Sequence, residues 1–324
     1  MIISRAPLRI SLAGGGSDLP AFYSQEMGHV LNFTINKYVY VVVHKTFFPS
    51  IRLIYSKIEN VENFNEISQP ILKNTLQYFT PEKNIEIGSF ADVPSTGSGL
   101  GSSSAFTVAL VAGLNRFNGS EIDKSKLASS ACHIEIDLCG DQIGKQDQYA
   151  SAFGGINEYM FHSNDSVDVK PFLLDDRVVK RIEKNLLLFN LNMSRSSIEI
   201  LNRQSFLLRN NPSKTILTRK IKEQVGEMKK LLRTEDFLEV GKLLDYNWQL
   251  KRQMTEYTTN PEIDEIYESA LKLGATGGKV LGAGGGGFLL LCVDEKIQGK
   301  FLSTFPLKWI PYEIDFVGSH VTEI

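Results

Sequence analysis

Leu8, Ile10 and Leu12 alternate with Arg9 and Ser11 until Gly14-Gly15-Gly16 breaks the period, which predicts a strand running into a tight loop. Residues 38–43 and 51–55 are β-rich on either side of Phe48-Pro49-Ser50 and predict an antiparallel pair. A further strand is expected at 85–90. Across a loop at 93–101, the apolar density of 105–114 predicts a buried helix. Residues 124–139 have a helical pattern that stops at Gly140. Gly154-Gly155 lead into a strand at 156–161, and the polar Ser163-Asn164-Asp165-Ser166 forms a loop. Beyond a strand at 186–191, helices are predicted at 196–209, 214–232, 236–254 and 261–273, and strands at 288–293 and 311–317 close the chain.

Helices between strands that pair across long intervals predict an α+β fold for both halves, with the domain junction at 165–185 and domains at 1–170 and 171–324. The 324 residues suit two domains sharing a cleft. Lys+Arg at 35 against Asp+Glu at 37 leaves a net charge of −2, so no basic excess exists to hold a nucleic acid or an anionic membrane. Any anion must be gripped locally. Cys132, Cys139 and Cys292 make neither an even disulfide framework nor a CxxC spacing, which fits a reducing cytosol. The early charges at Arg5 and Arg9 argue against a signal peptide, and no apolar run approaches the roughly 20 residues of a membrane helix. A cytoplasmic location is expected.

The chemistry concentrates in glycine-rich loops. Pro94-Ser95-Thr96-Gly97-Ser98-Gly99-Leu100-Gly101-Ser102-Ser103-Ser104-Ala105 lies between a predicted strand and a predicted helix. Its glycines let backbone approach an anion, and the following helix aims its positive end at the same place. Its serines can cap the helix, donate hydroxyl hydrogen bonds and offer a hard oxygen to magnesium. A flexible linker of this composition would not sit tightly between an apolar strand and an apolar helix. No stretch matches G-x-x-x-x-G-K-[ST]. Gly282, Gly284 and Gly287 match G-x-G-x-x-G, but a predicted helix precedes them and a strand follows, the reverse of a dinucleotide fingerprint. This run reads either as a tight connection ahead of a buried strand or as a second backbone wall of a cleft.

Three segments resemble, in order, the three motifs of the GHMP kinases: Arg5-Ala6-Pro7-Leu8-Arg9 through Gly14-Gly15-Gly16-Ser17-Asp18, the loop 94–105, and Lys279 to Gly287. Ala13 to Pro20 and Gly144-Lys145-Gln146-Asp147-Gln148-Tyr149-Ala150 are similar to the sugar-kinase branch that holds fucokinases and heptose 7-phosphate kinases. The resemblance implies a ribosomal-protein-like N-terminal domain, a ferredoxin-like C-terminal domain and a cleft between them. It implies ATP and Mg²⁺ as cofactors, with Asp147 as catalytic base and Arg9 facing it across the transferred phosphoryl group. Pro94, Gly97, Ser98, Gly99, Leu100, Gly101, Ser102, Ser103 and Ser104 would hold ATP, and Ser103 and Glu135 the metal. The acceptor would meet Gly15, Gly16, Ser17, Asp18, Lys145, Arg195, Gly284, Gly285 and Gly286.

Phosphoryl transfer needs a phosphate cradle, magnesium, a cation and an acceptor-activating carboxylate, and this sequence supplies each. Without the motifs, Asp147 would read as a residue favoured by a helix dipole and Glu135 as a solvated helix position. The acceptor implied is D-glycero-D-manno-heptose 7-phosphate, converted to the 1,7-bisphosphate on the way to nucleotide-activated heptose for surface polysaccharide. Gly14-Gly15-Gly16 replaces the Gly-Glu-His stretch of many galactokinases, which weighs against galactose. A fucokinase, a galactokinase-like sugar kinase, a kinase of a mevalonate-type alcohol or a non-catalytic sugar and ATP sensor are the alternatives. A base and a transition-state cation together argue against the sensor. A phosphate at the far end of the sugar would need cations, for which Lys37, Lys145, Arg195 and Arg203 are candidates, Arg195 first because it precedes a predicted helix. A homodimer is compatible with the sequence.

Overall fold

The structure is a computed structural model that describes residues 1–47, 49–81, 83–94, 97–193 and 197–324. Eleven strands are described: β1 (Ile2–Ala13), β2 (Gly28–Lys45), β3 (Ile51–Ile54), β4 (Ile58–Val61), β5 (Ile85–Ala91), β6 (Ile156–Phe161), β7 (Val167–Pro171), β8 (Leu186–Asn190), β9 (Gly277–Val280), β10 (Phe288–Cys292) and β11 (His320–Glu323). Eight of them form one sheet in the order β11-β1-β2-β5-β3-β4, with β6 and β7 extending from the other end of β2. The remaining three form a second sheet in the order β8-β10-β9.

In β1 every residue from Ala6 to Ala13 is buried, because the strand packs against helices Ser102–Phe117, Gln146–Phe153 and Pro212–Arg233. That cover is what lets Arg9 point into an interior site from a strand whose neighbours are Leu8 and Ile10. In the second sheet, Leu186 and Leu188 of β8 join the main core while Leu187 and Phe189 join a separate one with Trp248 and Phe301. In β10, Phe288, Leu290 and Cys292 face the first core and Leu289 and Leu291 the second. A continuous apolar run is thus a strand buried on both faces, its period of two hidden because both sides are dry. The expected helices at 105–114 and 214–232 lie within Ser102–Phe117 and Pro212–Arg233, and those at 236–254 and 261–273 overrun Phe237–Arg252 and Pro261–Lys272 by one or two residues at an end.

Three expectations are corrected. Residues 38–43 and 51–55 do not pair: β2 spends one edge on β1 and the other on β5 and β6, leaving no edge for β3. Instead β3 lies parallel to β5 and antiparallel to β4. The segment 311–317 is not a strand. Pro311 has no amide hydrogen, and Asp315 Oδ1 accepts from Val317 N at 3.1 Å and Gly318 N at 2.7 Å, turning the chain before β11. The glycines at 282–287 are preceded by β9, not by a helix, though a strand does follow them. The expected junction at 170 falls inside β7, and β11 joins the first sheet beside β1, so the two-domain division we propose is one of sheets rather than a single cut. No helix among the described residues is long and apolar enough to cross a membrane.

Candidate active site

The loop 97–101 carries the chain from β5 into the helix Ser102–Phe117, with Gly101 at φ 78° as the residue before the first turn. Ser98 Oγ lies 2.7 Å from Ser102 Oγ, and Leu100 C=O accepts from Arg9 N at 3.0 Å, pinning the loop to β1. From the other sheet, the run 282–287 closes on the same loop. A Cβ on Gly99 would stand 2.5 Å from Leu281 O, one on Gly287 would meet Ser98 O, and one on Gly282 would meet Gly99 Cα. Only bare backbone fits there. The second glycine run is therefore the back wall of the first, and its packing reading and its cleft reading are both realised: Gly282 and Ala283 line the cleft, while Gly285 N donates to Thr258 O at 2.7 Å behind it.

Asp147 sits in the first turn of the helix Gln146–Phe153. Arg9 Nε donates to its Oδ1 at 2.8 Å and Arg9 Nη2 to its Oδ2 at 2.7 Å, a bidentate pair, while Arg9 Nη1 donates to Gly99 O at 2.6 Å. One arginine thus joins the carboxylate to the glycine loop. A Cβ on Gly101 would lie 3.1 Å from Asp147 Oδ2.

Glu135 lies in a widened turn, the π-helix His133–Leu138 that continues the helix Lys124–Cys132. Its side chain is buried, accepting from Ser103 Oγ at 3.2 Å and from Gln148 Nε2 at 2.6 Å. Burial pushes its carboxyl up to about 7, against the lowering influence of Gln148, Ser104 and Ser103. A buried carboxylate beside a serine hydroxyl, with no cation paired to it among the described residues, is a donor set that fits a hard divalent ion keeping several waters. Asp18 is also buried, and burial followed by the charge of Asp147 raises its pKa. Its Oδ1 accepts from Gly16 N at 2.9 Å and its Oδ2 from Gln146 N at 3.3 Å. A Cβ on Gly144 would overlap this carboxylate.

These groups line one cleft of about 960 Å³. Its wall includes apolar Val39, Ile71, Leu72 and the exposed ring of Phe90 as well as Gly15, Gly16 and Asp18. Gly97, Ser98, Gly99, Gly101, Ser102, Ser103 and Ser104 line it as well, whereas Leu100 is wholly buried and Pro94 is exposed away from the wall. Ser95 and Thr96 lie outside the described residues, as does Arg195.

Other expected acceptor residues stand apart from the cleft wall. Ser17 is buried, its hydroxyl donating to Gly14 O at 2.7 Å and accepting from His29 N at 3.0 Å. Lys145 donates to Asp165 Oδ1 at 2.8 Å and lies 5.0 Å over the ring of Tyr23. Arg203 pairs with Glu256 at 3.4 Å. Lys37, Gly284, Gly285 and Gly286 are not part of the wall either.

Sequence reasoning missed Ser11, Gln146, Gln204, Asn247, Lys251 and Lys279, all of which line the cleft. Ser11 Oγ and Gln146 Oε1 are buried with no hydrogen-bond partner among the described residues, an arrangement suited to reading substrate hydroxyls. Of these residues, Ser11 lies inside the first motif segment, Gln146 is the immediate neighbour of Asp147, and Lys279 opens the third segment, so each had a signal; Gln204, Asn247 and Lys251 had none.

Comparison with known proteins matches residues 66–155 to the GHMP kinases N terminal domain and residues 228–304 to the GHMP kinases C terminal. The chain is 30% identical over 305 residues to a D-glycero-alpha-D-manno-heptose 7-phosphate kinase of Campylobacter jejuni, covering 90% of this chain and 89% of that one. It is 25% identical over 324 residues to a bifunctional fucokinase/GDP-fucose pyrophosphorylase of Arabidopsis thaliana, covering 91% of this chain but 30% of that one. Among solved structures, a D-glycero-D-manno-heptose 1-phosphate kinase from Bacteriodes thetaiotaomicron superposes with a TM-score of 0.82 at 24% identity, covering 100% of this chain and 99% of that one, a likeness of fold.

Proposed function

The chain belongs to the GHMP kinases and is an ATP-dependent sugar kinase, and on that premise we propose that its acceptor is D-glycero-D-manno-heptose 7-phosphate, phosphorylated on the anomeric hydroxyl. The observation that carries this reading is the relative named as a heptose 7-phosphate kinase, which matches nearly the whole of both chains. Three neighbouring polar residues of the cleft wall support it, since Asp18, Ser11 and Gln146 could partner a polyhydroxylated ring.

Asp147 takes the proton of the attacking hydroxyl, whose oxygen forms the new bond to the γ-phosphorus as the bond to the bridging oxygen breaks and ADP leaves with the electron pair. Arg9 fixes the orientation of Asp147 through two hydrogen bonds and places positive charge where the loosening phosphoryl group needs it. Gly97 to Ser104 hold the nucleotide phosphates against the positive end of a helix. Ser103 and Glu135 would hold magnesium, which when bound would supply charge neutralisation to the phosphate oxygens. For the far phosphate of the sugar, Arg195 stays the candidate by its position in the sequence ahead of Ser197, while Ser197, Ile198 and Leu201 of the helix Ser197–Asn210 line the cleft.

The test is turnover with ATP and magnesium on a panel of heptose 7-phosphate, heptose 1-phosphate, free heptose, fucose, galactose and mevalonate. The reading requires heptose 7-phosphate to have the highest kcat/KM. Equal turnover on heptose and heptose 7-phosphate, or preference for any other acceptor, refutes it.

A further inference from the structure

Two lysines stand in the cleft without a role in the scheme above. Lys279, on β9, is 3% exposed, and among the described residues its Nζ donates only to Leu12 O, at 3.4 Å. Lys251, in the last turn of the helix Phe237–Arg252, donates to Val280 O at 3.1 Å and to Gly282 O. Both line the cleft, and both lie close enough to Arg9 to feel its charge. Neither has a carboxylate partner among the described residues; the one carboxylate held by this group of cations is Asp147, already engaged by Arg9 on both oxygens.

Burying two ammonium groups against carbonyls alone is costly, and the cost is not offset within the protein. Burial, followed by repulsion from Arg9, brings Lys279 down to about 7, and burial followed by repulsion from Lys279 and Arg9 holds Lys251 well below the usual lysine range. An anion arriving between them would supply the missing partner. Their place fits such a role: Lys251 touches the second glycine run at Gly282, which backs onto Gly99 of the first, and Gly99 O accepts from Arg9.

We propose that Lys251 and Lys279 form a phosphoryl-binding subsite on the wall contributed by the second sheet, facing the helix end of the glycine loop. The ligand is a phosphoryl group, borne either by the terminus of the nucleotide or by the acceptor. The subsite rests on the kinase reading of the cleft and is independent of which sugar is used. The competing role is structural, a tether of β1 and the second glycine run through the carbonyls of Leu12, Val280 and Gly282.

Calorimetric titration of the full chain with inorganic phosphate separates the two. Lys251→Met and Lys279→Met should each weaken phosphate binding by about 10- to 100-fold, the loss of a charge-assisted hydrogen bond, with an unchanged or raised Tm. Lys279→Arg should recover most of the affinity. Binding within twofold of wild type in both Met variants, or no phosphate binding by the wild type, overturns the subsite.

If a Met variant does not fold, the wild-type protein decides by lysine acetylation mapped by mass spectrometry. Phosphate should protect Lys251 and Lys279 but not the exposed Lys242, and equal labelling with and without phosphate overturns the proposal. The same labelling assigns the source. Protection by a non-hydrolysable ATP analogue but not by ADP gives the terminal nucleotide phosphate, and protection by sugar phosphate but not free sugar gives the phosphate of the acceptor. Protection by none of these overturns the subsite. A wild-type enzyme that prefers another sugar would refute the heptose reading while leaving the phosphate result standing.

Discussion

Replacing Glu135 by Gln tests the metal site through stability rather than rate. The carboxyl is 1% exposed and held up to about 7, against 4.5 for a free glutamate, so keeping it ionised costs the folded protein up to about 3 kcal/mol. The sign follows from which state holds the proton more firmly. A raised carboxyl binds its proton more tightly when folded, so this contribution to stability is fully present below pH 4.5, fades as pH rises to about 7 and is absent above it. Lys279, lowered to about 7, titrates with the opposite preference, which is why the measurement must be a difference. Urea denaturation of wild type and Glu135→Gln in chelator, from pH 5 to pH 8.5, should give curves that diverge with rising pH, the variant ending more stable by up to about 3 kcal/mol. Magnesium added at pH 8 should then stabilise the wild type and leave the variant unmoved. Ser103→Ala should keep the pH difference but need more magnesium, since the hydroxyl that donates to Glu135 at 3.2 Å is gone. Parallel curves at all pH values would refute the buried carboxylate, and an equal magnesium response in both proteins would refute its role as ligand.

Asp147→Asn should lower kcat by about 10²- to 10⁴-fold with nucleotide affinity nearly unchanged in equilibrium binding, and wild-type turnover would remove it as the base. Gly144→Ala should raise the acceptor KM while sparing that of ATP, because the new methyl occupies the space of the Asp18 carboxylate; an equal rise in both KM values would mean general distortion. Arg195→Ala should raise KM for the phosphorylated sugar by on the order of 1.5 to 3 kcal/mol and leave free sugar unaffected, and equal effects on both would exclude it as the phosphate contact.

The strands at 8–12, 85–90 and 156–161 were legible because each has turn residues at its ends and a clear apolar pattern. The partner of β3 was not, since pairing depends on which edges of β2 are already taken, a property of the whole sheet. The same limit applied to the site. Arg9, Asp147, Ser103, Glu135 and Asp18 were legible through motifs, and they do converge on one cleft. Lys145 carried an equally good motif address, yet its ammonium turns toward Asp165, because charge placement follows the nearest carboxylate in space. Lys251 looked like any lysine near a helix end, and only the packing of β9 beside it reveals that it is inside. The π-turn at 133–138 left no trace, since its residues are ordinary helix formers.

The close fit of Gly99 against Leu281 and Gly282, and of Gly287 against Ser98, has a mechanical consequence. Two loops in backbone contact have no side chains to slide or swing, so they translate together or not at all. Opening of the cleft to release ADP must therefore bend the protein somewhere other than this seam, and whatever the nucleotide does to the first loop reaches the second sheet without a relay of rotamers. The same seam constrains how the sequence can drift: a residue inserted in either loop lifts the other off its seat, so the two segments, though more than 180 positions apart in the chain, must change in step or stay fixed.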